Sequence, residues 1–359
     1  SPFERASGGA AFTPDLAVIG NHFGPFFVPR GYEGRNRFEL GEIEIALQQP
    51  LYTGMSFFAT LAAGSEAGFA LVVEEAYASL SRPFKLPFDS VVGKRRLQFG
   101  KLNPIHPHAW RMVDQPAPIG AFLGEEGLYG NGVSFDYTLP IKGLFANLEL
   151  GFWKNDAAHA HAPEPVLEAS NKAVHLEQLH HGEPGSGIMG DMPTARLWLS
   201  KGIGLSTEIE IGGSHAFGKG DNGDNIRLTG ADLTIRTYPT TYSRWQIQAE
   251  TFWHNRRDRE TNTGSHTRSG HYAMVSFAPD KYQEFGVRYD NTRYPWPIEG
   301  REQSFSLIAT QRLTEATLMR LQFKFGDRTT DIYLPERRGF KEVFLQFIWG
   351  AGSHKHPLQ

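Results

Sequence analysis

Apolar and polar positions alternate with period two along almost the whole chain, and helical spacing is scarce. Residues 37–49 place Ile43, Ile45 and Leu47 on one face, against Glu42, Glu44, Ala46 and Gln48 on the other. Residues 144–153 set Leu144, Ala146, Leu148, Leu150 and Phe152 against Asn147 and Glu149. Leu205, Thr207, Ile209 and Ile211 alternate with Ser206, Glu208 and Glu210, and Val343, Leu345, Phe347 and Trp349 share a side. The pattern predicts about sixteen strands, near 14–20, 37–49, 54–63, 69–81, 88–100, 127–139, 144–154, 192–201, 204–217, 226–238, 242–256, 270–279, 282–294, 302–313, 316–326 and 340–350. Most bracket the roughly 9–11 residues that a tilted strand needs to cross a bilayer.

The connections sort by parity. Those after even-numbered strands are short: 50–53, 81–87, 140–143, 201–202, 239–241, 279–280 and 314–315. Those after odd-numbered strands are mostly long: 20–36, 101–126, 155–191, 257–269, 291–300 and 326–339, with 64–68 and 218–225 as shorter exceptions. Short turns at one rim and long loops at the other predict an all-β, antiparallel up-and-down outer-membrane barrel of about 16 strands in a single domain, 1–359. A Greek-key sandwich has no reason to sort its loops in this way. An even strand number also closes the cylinder and removes the exposed edge. Tyr52, Trp153, Tyr238, Tyr242, Trp253, Tyr282, Tyr294 and Trp349 fall at strand ends, as an interfacial aromatic girdle would.

Composition narrows the function classes. There is no Cys, which excludes disulfides, thiolate metal sites and a Cys nucleophile. A net charge of −3 and a pI near 6.5 argue against nucleic acid as a partner. No apolar run reaches the roughly 18–20 residues of a membrane helix. The start, Ser1-Pro2-Phe3-Glu4, reads as a processed N-terminus from which an export signal has been removed. No GxSxG, HExxH or phosphate-binding glycine loop is present, so the expectation is a protein without enzymatic activity.

If the apolar faces meet lipid, the opposite faces line a pore. Parity puts Glu42, Glu44, Glu74, Arg96, Arg196, Glu208, Glu210, Asp232, Arg236, Arg244, Arg288 and Asp290 there. Such charges would each cost several kcal/mol in a dry core unless paired, and a water-filled lumen removes that cost. Their near balance of sign suits weak ion selectivity. The expected function is passive diffusion of ions or small polar solutes, with lipid and lipopolysaccharide outside and a homotrimer as an assembly. Two readings compete with it: a metal (zinc)-linked uptake channel using the His-bearing loops, and a structural sleeve for a periplasmic partner, such as an electron carrier.

Residues 101–126 are unlike a solvated loop: they hold four prolines together with Trp110, Met112, Val113, Ile119, Phe122 and Leu123. They are expected to fold inward and narrow the pore, bringing His106, His108, Trp110, Arg111 and Asp114 to the constriction. The long connection 155–191 is expected outside the cell. Histidine clusters in these two segments (His106, His108, His159, His161, His180 and His181) suit weak capture of zinc, without any resident cofactor.

Several stretches carry a resemblance: Leu40-Gly41-Glu42-Ile43-Glu44, Val73-Glu74-Glu75-Ala76-Tyr77, Phe99-Gly100-Lys101-Leu102-Asn103, His106-Pro107-His108-Ala109-Trp110 and Ala121-Phe122-Leu123-Gly124-Glu125. Over residues 38–150 the chain resembles a family of outer-membrane barrels often labelled zinc-regulated, TonB-dependent outer-membrane receptors, here porin-like and plug-less. The resemblance implies an outer-membrane barrel and an involvement with zinc or another metal.

Overall fold

The computed structural model describes residues 14–28, 35–64, 70–124, 126–155, 186–220, 223–257, 264–295, 300–329 and 337–352. They form sixteen strands. The first eight are β1 (Asp15–Phe26), β2 (Glu39–Tyr52), β3 (Met55–Gly64), β4 (Leu71–Leu80), β5 (Asp89–Arg96), β6 (Tyr129–Thr138), β7 (Phe145–Asn155) and β8 (Gly190–Ile203). The second eight are β9 (Thr207–Lys219), β10 (Asn225–Thr237), β11 (Arg244–Arg257), β12 (Ser265–Ala278), β13 (Gln283–Arg293), β14 (Arg301–Thr314), β15 (Thr317–Thr329) and β16 (Arg337–Gly352). One short helix, α1 (Ala117–Leu123), lies between β5 and β6. Among the described residues no helix is long and apolar enough to cross a membrane, which says nothing of strands.

Every strand pairs antiparallel with its neighbours in sequence, and β1 pairs with β16 from Ala17 opposite Gly352 to Phe26 opposite Val343. The sheet is therefore a closed barrel of sixteen strands, as the alternation predicts. Closure leaves no unpaired edge, which is the condition for a sheet to sit in hydrocarbon.

The two faces of the wall are inverted relative to a soluble protein. Along β15, Met319, Leu321, Phe323 and Phe325 are exposed while Arg320, Gln322 and Lys324 are buried. Along β13, exposed Phe285 and Val287 alternate with buried Glu284, Arg288 and Asp290. Apolar side chains outside and ionic ones inside fit a cylinder whose solvent outside is lipid. Tyr52, Tyr238, Tyr242, Trp253 and Tyr282 are exposed, in keeping with a girdle. Trp153 and Tyr294 depart from it: both are buried. Trp153 packs directly over Gly130, where a Cβ would stand 2.6 Å from its own Cβ, and joins the interior cluster instead.

That interior cluster is the main feature that alternation alone does not describe. β5 stops at Arg96 rather than near residue 100, because the chain leaves the wall there. Leu97, Phe99, Leu102, Trp110, Met112, Ile119, Phe122 and Leu123 then pack inside the barrel against Leu228, Phe252, Tyr272, Met274 and Ile308 of the far wall. Gly100 makes the turn, at φ +67°, and a side chain there would strike the Glu250 carboxylate at 2.2 Å.

Candidate functional site in the barrel interior

The inward segment 97–128 is held at its neck by Asn103. Its Nδ2 donates to the carbonyls of Leu97 (2.8 Å) and Leu128 (3.0 Å), and its Oδ1 accepts from Leu128 N (2.7 Å). Across the interior, Glu250 of β11 accepts the backbone N–H groups of Lys101 (2.7 Å) and Leu102 (3.0 Å), and is itself held by the Tyr272 hydroxyl. Lys101 pairs with Glu210 of β9. A 3-10 turn at Pro107–Ala109 follows, and the buried Trp110 donates its indole N–H to the Ile105 carbonyl (2.8 Å).

Beyond Trp110 the segment docks on β12–β15. Arg111 stands 3.4 Å from Glu284, which also takes Arg244 (3.3 Å) and Arg312 (3.4 Å). Val113 N donates to Gln322 (2.8 Å), and Arg320 donates to the Met112 carbonyl (3.1 Å). Asp114 accepts from Arg288 (2.7 Å) and pairs with Lys324 (3.0 Å). Burial alone would raise the Asp114 carboxyl, but these two cations outweigh it and hold the group well below the usual carboxylate range.

On the opposite wall the segment meets carboxylates. His106 places Nδ1 3.2 Å from both Glu44 Oε2 (β2) and Glu74 Oε2 (β4), and Nε2 3.0 Å from Glu75 Oε2. His108 Nδ1 lies 3.2 Å from the same Glu44 oxygen, and the two imidazoles stack with centroids 5.8 Å apart. Burial would lower the His106 imidazole, whereas Glu44, Glu74 and Glu75 hold it well above its ordinary range.

The predicted residues thus meet in pairs rather than standing in open water. Arg196 forms a two-bond fork on Asp232 (2.7 and 3.1 Å). Arg236 lies 2.5 Å from Glu210 and 3.3 Å from Glu208, and Arg288 lies 2.8 Å from Asp290. Arg96 lies over the Tyr129 ring at 4.9 Å. Glu42 sits in the field of Glu44, Glu74, Glu126 and His106. Pairing, as well as water, offsets the cost of bringing these charges inside. Of the five residues expected at the constriction, His106 and His108 face the acidic wall and Arg111 and Asp114 the other side, while Trp110 is a buttress within the apolar cluster. His159, His161, His180 and His181 lie outside the described residues.

Glu75, which meets His106 Nε2, is the site residue that parity misses. Between β3 and β4 the register steps from Thr60 opposite Glu75 to Leu61 opposite Val73, so that Glu74 has no partner residue. This bulge turns two consecutive glutamates inward, which strict alternation forbids. The only trace in the sequence is the Glu74-Glu75 pair itself.

No protein-family model matches the chain. A relative from Aquifex aeolicus (strain VF5), described as an uncharacterized protein, is 23% identical over an alignment of 430 residues that covers 100% of this chain and 82% of that one. Among solved structures, a loop L8 deletion mutant of OmpT, an outer membrane protein of Vibrio cholerae, superposes with a TM-score of 0.59 at 9% identity, covering 94% of this chain and 99% of that one. The outer membrane channel DcaP of Acinetobacter baumannii gives 0.57 at 10% identity over 94% and 96%. An anion-selective porin from Comamonas acidovorans gives 0.55 at 13% over 95% and 99%. The chain has the fold of the outer-membrane porin-type barrels. At these identities the likeness is one of architecture.

Proposed function

We propose that this protein is a porin-like channel of the bacterial outer membrane, through which ions or small polar solutes diffuse passively. The observation that carries the reading is segment 97–128. It crosses a closed sixteen-strand cylinder and divides an acidic wall (Glu42, Glu44, Glu74, Glu75) from a wall rich in arginine (Arg244, Arg288, Arg312, Arg320). A solute passing between them meets a transverse field at close quarters, where the low dielectric of the protein strengthens it. That the neighbours in fold include a channel and an anion-selective porin supports the reading. So does the inverted wall.

Planar-bilayer recording tests it. Wild-type protein is expected to give discrete conductance steps with a small reversal potential in asymmetric salt, and deletion of residues 104–120 to enlarge the steps. Silent bilayers from both proteins would retire the channel in favour of a plugged scaffold partnering another envelope protein. Steps of equal size would retire the constriction. A homotrimer is proposed as the assembly, a trimeric form of Vibrio cholerae OmpT being among the neighbours in fold.

A further inference from the structure

The geometry points to a binding site for a divalent transition-metal cation, built from Glu44 Oε2, Glu74 Oε2 and His106 Nδ1 on the acidic wall. These three donor atoms lie within 4.8 Å of one another. Two ligand atoms held about 2.1 Å from one tetrahedral metal stand about 3.4 Å apart. The 3.2 Å separations of His106 Nδ1 from the two carboxylate oxygens come close to that edge.

Three features argue for a cation beyond simple hydrogen bonding. First, one ring nitrogen faces oxygens from two carboxylates, and a single N–H serves one of them well. Second, Glu74 Oε2 is buried with no hydrogen bond aligned on it. Third, the far nitrogen of the ring is already oriented. Glu75 accepts the Arg96 backbone N–H at 2.7 Å through Oε1 and holds His106 Nε2 at 3.0 Å through Oε2. When a cation takes the place of the Nδ1 proton, the N–H kept at Nε2 leaves Nδ1 directed between Glu44 and Glu74. A carboxylate behind an imidazole is the arrangement that fixes tautomer and ring angle in histidine metal ligands. His108 steadies Glu44 from the other side.

Of the nearby cations of β5, Lys94 and Arg96 lie in the field of Glu74, but all make their close contacts elsewhere. Lys94 donates to the Val73 carbonyl at 2.7 Å, Arg95 lies 3.8 Å from Glu149, and Arg96 lies over Tyr129. One imidazole with two carboxylates selects zinc and its first-row neighbours over magnesium and calcium, which take all-oxygen shells. The site ties segment 97–128 to β2 and β4, so a bound ion would staple the inward segment to the wall.

The test is calorimetric titration of the EDTA-stripped full chain, in detergent micelles, with zinc chloride alone and then magnesium chloride alone. One zinc site per chain is expected, with no comparable magnesium binding. H106Q and E74Q should each weaken zinc at least about tenfold, and E75Q, which removes the orienting carboxylate, by about tenfold. Replacing His159, His161, His180 and His181 together by Ala should leave that site intact. Absence of zinc uptake by the wild type would overturn the inference, as would affinity that survives E74Q and H106Q but vanishes with the four-histidine variant. Heat-modifiable mobility on gels confirms that each variant is a folded barrel, and E74Q, nearly isosteric, decides the matter if H106Q does not fold. The inference stands apart from the channel reading: a conducting barrel that takes up no zinc sinks this proposal alone, and a zinc-binding barrel that never conducts sinks the other.

Discussion

Asp114 shows how a single side chain anchors the inward segment. It touches Arg288, Lys324 and Gln322 at once, and all three lie on β13 and β15, far from it in sequence. Asp114→Asn removes one counter-charge shared by two buried cations, each of which keeps a second carboxylate (Asp290 for Arg288, Glu302 for Lys324). The cost therefore falls below that of leaving a buried charge unpaired, about 3–5 kcal/mol. The expected outcome is a barrel that still folds but whose segment 97–128 is cut more readily in limited proteolysis. The pH dependence has a definite sign. The carboxyl sits lower in the folded protein than its ordinary value of about 3.9, so its contribution is fully present above that value and is lost as pH falls through the folded value. Proteolytic protection of the segment should therefore be constant from pH 7 down to about 5 and decline only in stronger acid. Little of this was legible in the chain. Parity placed Arg288 inside, and the composition of residues 101–126 argued for an inward fold. Which cation meets Asp114 depends on how far the segment reaches across the barrel, and no local pattern encodes that distance.

At the scale of elements, the wall and the inward segment obey different rules. Strands read well because each must alternate: one face meets apolar surroundings and the other polar ones at every step. Their predicted limits therefore stay within about three residues of the observed ones, except at β1, which runs on to Phe26 rather than 20, at β12, which starts at Ser265 rather than 270, and where the chain abandons the wall after β5. After Arg96 the sequence continues as Leu97-Gln98-Phe99, which still alternates, yet it turns inward at Gly100. The signal was the glycine, whose positive φ costs little only without a side chain. Gly100→Ala should destabilise the turn by more than about 1 kcal/mol. It should also displace Glu250 from the Lys101 and Leu102 amides, measured as a lower urea midpoint with strand content unchanged by circular dichroism. The bulge that delivers Glu75 is the second departure. It follows from strand pairing rather than from the residues in it, and so the acid wall looked one glutamate poorer in the sequence than it is.

For the molecule as a whole, the inversion of the faces makes the clearest demand. Leu321 and Val287 are exposed near the middle of their strands, flanked by buried Arg320, Gln322, Gly286 and Arg288. Leu321→Arg should cost about 2–4 kcal/mol of folding free energy in lipid vesicles if it lies at the bilayer midplane. In a soluble protein the same exposed site would tolerate arginine. Titration of vesicle-folded protein with guanidinium measures the difference, and an unchanged midpoint would speak against lipid on that face.

The seam between β1 and β16 carries a consequence for biogenesis. The ribbon's opening stretch acquires its second neighbour only from Arg337–Gly352. Until that stretch arrives, two rows of amide and carbonyl groups lack mates, and hydrocarbon offers none. Assembly is thus all-or-nothing: whatever machinery delivers the polypeptide must shelter both rims until the last staves of the cask are in hand. A chain cut short before residue 337 should accumulate outside the bilayer rather than insert as a smaller cylinder.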